Sequence, residues 1–204
     1  MPSHQNPPFS IRALHVHDLA ALTPILRQHI HDLHSGEVVE TEVQAVLAYM
    51  TGALDASGRP RQYLVACDAS GQVQACMAWA TPDALMTQHF VAAGVNMTAT
   101  VELLNAFVAT DYLGGKGVGR LLFGAVCHHA AAAGAHRLVV NSGLRYRHSW
   151  GFYDRVCDSS HGLIANYYGA GRDAKTWFKA FEVAEVTDAA AGRQAIMLPD
   201  GCRG

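Results

Sequence analysis

Apolar residues alternate with polar ones from Phe9 to Leu14 and predict a short first strand. The spacing then lengthens. Leu19, Leu22, Leu26, Ile30 and Leu33 form a helical stripe, opened by His17-Asp18 and stopped by Gly36. Thr41 opens a second helix in which Val43, Val46, Leu47 and Met50 share a face, ahead of a loop from Asp55 to Pro60. Gln62 to Cys67 and Val73 to Ala80 are apolar runs joined by Asp68-Ala69-Ser70-Gly71, which predicts a hairpin. Residues 82–97 fit either a short helix around Met86, Phe90 and Val91 or an irregular loop. Thr100 to Thr110 reads as a long strand. A glycine-rich loop follows it, and Val118, Leu121, Leu122, Ala125 and Val126 then mark a helix to Ala133, stopped by Gly134. Arg137 to Val140 is a short strand, Tyr146 to Val156 a helix, and Lys175 to Val183 a last strand. Residues 157–173 take no assignment.

The central order of strand, glycine loop, helix and strand is a βαβ unit, whose strands are expected to run parallel with a right-handed crossover. The strands before it are hairpin-linked and antiparallel. An α/β chain (an α+β mixed sheet, mostly antiparallel and flanked by helices) is the predicted architecture. Residues 9–183 are expected to form one domain. Residues 1–8 read as a disordered lead-in, and 184–204 as a tail or the arm of an oligomer such as a homodimer.

Composition narrows the function. At 204 residues and 50% apolar content the chain can bury a full core. A formal net charge of −2 and a pI near 6.6 offer no basic face for nucleic acid, whose binders usually have a pI above about 9. No apolar run reaches the length of a membrane span, and the first residues lack the basic start and apolar stretch of a signal peptide. The five cysteines are scattered without a CxxC pair, so reduced thiols in a cytoplasmic protein are expected. His29, His31 and His34 fall on the first predicted helix and His15-Val16-His17 has metal-like spacing, yet no Cys or carboxylate matches them, and no metal is predicted. These histidines are instead read as polar positions beside an acceptor, with one of them a candidate general base.

The loop Gly114-Gly115-Lys116-Gly117-Val118-Gly119 holds four glycines in six residues, two of them at a helix start where glycine costs helix propensity. Bare backbone N–H groups in front of a helix N-terminus suit a phosphate-bearing ligand. A magnesium-nucleotide loop needs Ser or Thr after Gly-Lys, but Gly117 follows Lys116. A dinucleotide fingerprint starting at Gly115 or Gly117 would need its third glycine where Arg120 or Leu122 stands.

The same loop resembles that of the GNAT superfamily of acyl-CoA N-acyltransferases, in which Gln or Arg, two variable residues, Gly, one variable residue and Gly or Ala join the fourth strand to the third helix. Gly117 and Gly119 match, while Gly114 stands in place of the Gln or Arg. A second resemblance lies downstream, at Ser142-Gly143 followed by Ser149-Trp150-Gly151-Phe152-Tyr153, with Ser149 in place of the family's Ala and without its later Gly-Phe. Together they cover roughly residues 9–182.

The resemblance implies acetyl-CoA as co-substrate, its pyrophosphate on the N–H groups of Gly114, Gly115, Lys116, Gly117, Val118 and Gly119, with Lys116 or Arg120 adding charge. Phe107, Val108 and Ala109 of the preceding strand would flank the pantetheine arm and acyl group. Tyr153 would protonate the departing thiolate. Glu102, the only acid within an apolar strand, is the candidate base, directly or through water, if strand parity aims it at the acceptor cleft. The activity implied is transfer of an acetyl group to a primary amine, a small molecule rather than a protein, with acceptor choice in residues 17–60 and 157–173. Two alternatives stay open: a non-catalytic CoA-binding sensor or assembly module of this fold, and an unrelated nucleotide-binding α/β protein.

Overall fold

A computed structural model describes residues 9–52 and 58–181. The expected lead-in, the tail and part of the loop from Asp55 fall outside these residues. Within them lie a sheet in the order β1-β2-β3-β4-β5-β7-β6 and five α-helices. β1 (Ser10–Ala13), β2 (Gln62–Cys67), β3 (Val73–Ala80) and β4 (Thr100–Val108) are antiparallel in sequence, and β4 pairs parallel with β5 (Arg137–Gly143). β6 (Ser159–Ile164) and β7 (Ala174–Ala180) complete the far side, with β7 antiparallel to β5.

Helix α4 (Val118–Ala132) packs Leu122, Phe123, Val126 and Ala130 on one face of the sheet, against Leu64, Met77, Leu103, Leu138 and Trp177. α5 (Trp150–Val156) joins that face through Tyr153. The opposite face is covered by α1 (Leu19–Arg27) and α2 (Glu40–Met50), and farther along by α3 (Ala84–Ala92), whose Met86 and Phe90 are fully buried over Val139. Alternation in the strands therefore divides apolar side chains between two helical layers.

Several expectations change. α1 stops at Arg27, Leu33 is exposed, and His31 instead forms an isolated bridge with Val38, so His29, His31 and His34 all lie beyond the helix. Segment 82–97 contains α3, with Asp83 as N-cap accepting from the Met86 N–H at 2.7 Å. In α4 Leu121 is exposed and Phe123 takes the core position. β4 ends at Val108, β5 runs on to Gly143, and the helix predicted from Tyr146 is a 3-10 turn (Leu144–Ser149) leading into α5. β6 occupies the unassigned stretch; β7 ends at Ala180, and Val183 is outside the described residues.

Candidate active site

Between Thr110 and Arg120 the backbone is organised around residues with no side chain. Gly114, Gly115 and Gly117 have φ of +75°, +106° and +82°, the left-handed region where an L residue is strained by about 1–2 kcal/mol. Gly117 is the N-cap of α4, and the first intrahelical bond runs from Leu121 N–H to the Gly117 carbonyl. No N–H from Gly114 to Arg120 donates to another group among the described residues. An ideal Cβ on Gly114 or Gly115 would meet nothing within 4 Å, so the loop faces open space. These features fit a pyrophosphate: clustered donors, the positive end of a helix and access for the ligand. Lys116 and Arg120 are exposed, and Lys116 Nζ donates to the Asp111 carbonyl. Gly119 brings α4 against the Phe152 ring, 3.7 Å from where its Cβ would stand.

β4 and β5 pair only from Thr100↔Arg137 to Leu103↔Val140. Beyond that point they part. The cause lies in β4, where Asn105 has φ +48° and the register against β3 shifts between Ala78↔Leu104 and Cys76↔Phe107. This bulge gives β4 one extra residue, so Leu104 and Phe107 face the same side although three apart. Arg61 Nη1 and the Tyr63 hydroxyl donate to Asn105 Oδ1 at 2.5 and 2.8 Å and hold the bulge. Phe107 is buried towards α1 and lies 5.9 Å from the His29 ring. Val108 borders the fork, and Ala109 N–H closes on the Gln74 carbonyl.

The bulge follows Glu102, whose side chain keeps the α1–α3 side. Glu102 is 0% exposed. Its Oε2 accepts from Arg59 Nη1 at 2.8 Å and Asp83 N–H at 3.1 Å. Oε1 accepts from Asn141 Nδ2 at 2.7 Å, with the Tyr167 hydroxyl oxygen 3.3 Å away. Burial raises its pKa, the neighbouring Asp83 charge adds to that, and Arg59 opposes both. Tyr167 gives its one hydroxyl proton to Asp83 Oδ2 at 2.5 Å, and the Tyr168 hydroxyl donates to Asn141 Oδ1. The carboxylate thus lies within a continuous hydrogen-bonded cluster, and direct contact with a ligand would require one of these donors to move.

Tyr153 sits on the other side of the fork, on α5, with its ring between Phe152 at 5.3 Å and Trp177 at 5.1 Å. Burial pushes its hydroxyl pKa up, so it stays protonated. Trp177 Nε1 and Lys175 Nζ both donate to Asp154, at 2.7 and 2.9 Å, and fix α5 on β7. Ser142 and Ser149, both part of the downstream motif, meet at 3.3 Å between their Oγ atoms. At the mouth of the fork His29 Nε2 donates to the Val108 carbonyl at 2.7 Å, with His148 stacked at 6.1 Å. Burial lowers the His29 pKa, leaving the ring neutral at pH 7.

Arg59, Asp83, Asn141 and Tyr167 were not anticipated. Only Asp83 had a local signal, as an N-cap ahead of the apolar positions Met86 and Phe90. Among the described residues no group of three His, Cys, Asp or Glu side chains is placed to hold a metal.

No protein-family profile matches the sequence, and no curated protein does. Solved structures do match. The yncA protein of Salmonella typhimurium, solved with its cofactor acetyl-CoA, is 18% identical, with 96% of this chain and 99% of that chain covered at a TM-score of 0.59. A GNAT-family acetyltransferase of Staphylococcus aureus matches at 12% identity, 85% and 99% coverage and a TM-score of 0.59. A chimera of the Vibrio cholerae spermidine N-acetyltransferase SpeG and hSSAT matches at 14% identity, 84% and 95% coverage and a TM-score of 0.60. The chain shares the fold of these proteins.

Proposed function

We propose that this chain, built on the GNAT acyltransferase fold, is an acetyl-CoA-dependent N-acetyltransferase acting on the primary amine of a small molecule. The supporting observation is the fork between β4 and β5, which opens beside a loop of left-handed glycines with free N–H groups. Acetyl-CoA, when bound, supplies the activated acetyl thioester. The N–H groups from Gly114 to Gly119 would hold its pyrophosphate, Lys116 and Arg120 would add charge, and Phe107, Val108 and Ala109 would flank its arm.

A lysine-like amine has a pKa of about 10.4, so presenting it neutral at pH 7 costs roughly 4–5 kcal/mol. In this reading Glu102 takes that proton through an intervening water, since its own oxygens are enclosed by Arg59, the Asp83 N–H, Asn141 and Tyr167. His29 favours a second assignment of the base: it is neutral, anchored through Nε2 on Val108, and keeps its Nδ1 lone pair. Tyr153, held protonated by burial, donates to the departing thiolate. The free thiols Cys67, Cys76, Cys127 and Cys157 accord with a reducing, cytoplasmic setting. Among the described residues no helix is long and apolar enough to cross a membrane.

The enclosure of Glu102 favours one other reading, a protein that binds acetyl-CoA without turning it over. Titration calorimetry against acetyl-CoA, ATP and NAD tests the binding claim, with heat expected for acetyl-CoA alone. Thiol release over an amine panel then separates enzyme from sensor. Absence of heat with acetyl-CoA overturns both readings.

A further inference from the structure

A cavity of about 250 Å³ lies past the end of β5, one of the two strands of the fork. Gly143 and Leu144 line it at the end of β5, and Leu33 and Glu42 line it from the α1–α2 side. Tyr168 and Arg172 come from the turn between β6 and β7, beside Arg145 and Tyr146.

Its chemistry is unusual in two respects. Leu33, Leu144 and Tyr168 are 52%, 44% and 39% exposed, and all three apolar side chains converge here. The cavity also carries two guanidinium groups and one carboxylate. Arg145 is engaged with Glu42, at 2.5 Å from Nη1 to Oε2 and 3.3 Å from Nη2 to Oε1. The exposed Arg172 guanidinium has neither a carboxylate nor a hydrogen-bond partner among the described residues, although the residue's backbone bonds Gly169 and Tyr168. Its Nη2 lies over Gly169, a left-handed residue at φ +111°, 2.9 Å from where a Cβ would stand. One positive charge is therefore left unbalanced beside an apolar wall.

We infer that this cavity holds the acceptor, and that the acceptor is an amine bearing a carboxylate or equivalent acid together with an apolar side chain: an amino acid or close analogue. The inference rests on reading the fork as an acetyl-transfer site. Arg172 pairs with the acid, while Leu33, Leu144, Tyr146 and Tyr168 cover the apolar part. An α-amine is two bonds from its carboxyl carbon, so fixing the acid also aims the amine. A polyamine would meet two cations and a carboxylate already engaged. Tyr168 ties this wall to the proposed base, because its hydroxyl donates to Asn141, which donates to Glu102. Gly143 makes that placement possible: a Cβ there would stand 2.9 Å from the Tyr168 ring.

The test uses the full chain with CoA present and titrates in leucine, leucinamide, isobutylamine and spermidine, reading heat. Thiol release with acetyl-CoA is read separately. Leucine is expected to bind at least about 10-fold tighter than its amide, and Arg172→Gln to weaken leucine by about 10- to 100-fold while leaving the amide unchanged. Gly143→Ala, by displacing Tyr168, is expected to weaken leucine binding without altering the heat of acetyl-CoA. Preference for spermidine or leucinamide, or an equal effect of Arg172→Gln on every amine, overturns the inference and leaves acetyl transfer standing. Leucine binding without thiol release has the opposite meaning: the cavity assignment holds and the enzymatic reading fails.

Discussion

Removing a carboxylate from water is costly, and Glu102 is kept in place by three donors at once, from Arg59, the Asp83 N–H and Asn141. Its raised pKa has a stability consequence with a definite sign. The folded state holds the Glu102 proton more tightly than the unfolded chain, so this contribution is full below about pH 4.3, the unfolded value, and is lost as pH rises through the folded value. Glu102→Gln removes that slope. Urea midpoints measured between pH 4 and 7 should shift in favour of the variant, relative to the parent, as pH rises. In activity, a base assignment for Glu102 predicts a fall in kcat of about 10²- to 10⁴-fold for Glu102→Gln, with acetyl-CoA affinity unchanged. If His29→Gln shows that loss instead, the proton passes to His29. Tyr153→Phe is expected to slow thiol release, yet to change stability by less than about 1 kcal/mol, because no described partner bonds its hydroxyl.

The loop before α4 and the strand that feeds it are distinct devices. At Gly115 a methyl group has room, but there and at Gly117 the left-handed backbone angle opposes it, so Gly115→Ala and Gly117→Ala should each weaken acetyl-CoA by about 10-fold through a strain of roughly 1–2 kcal/mol. Titration of each variant checks this, and unchanged affinity would separate the loop from the ligand. At the other end of the chain Asp18 ties β1 to α1. It is 3% exposed, accepts from both terminal nitrogens of Arg12 at 2.7 Å, and accepts from His15 N–H at 2.8 Å. Arg12 holds the Asp18 pKa below the ordinary value, so the stabilisation is present above about pH 3.9 and is lost as pH falls through the depressed value. Asp18→Asn should cost about 1–3 kcal/mol at pH 7, towards the lower end because Arg12 is partly exposed, and the deficit should vanish in acid. Denaturant melts at pH 7 and pH 3 would show the deficit narrowing.

Over the whole molecule, what the sequence disclosed was local in origin. The β2–β3 hairpin follows from two apolar runs around Asp68 and Gly71, and the βαβ unit from a change of hydrophobic period at the glycine loop. α3 and β6 were harder to read: each is one short element whose apolar positions fit more than one period. The cluster around Glu102 was hidden for another reason. Arg59, Asn141 and Tyr167 lie 43, 39 and 65 residues from it along the chain, and only the packing of β4 between β3 and β5 unites them. The fork has a consequence for the timing of hydrogen exchange. Past Leu103 and Val140 each strand keeps a single neighbour, β3 for β4 and β7 for β5, so the sheet carries a free edge in its middle as well as at its rims. Amides that point into this seam should take up deuterium within the fast class, despite belonging to two central strands. Acetyl-CoA should slow residues 104–109 and the glycine loop together and leave the outer strands β1 and β6 as they were. Uniform slowing across the sheet would mean that the seam is not where the ligand lies.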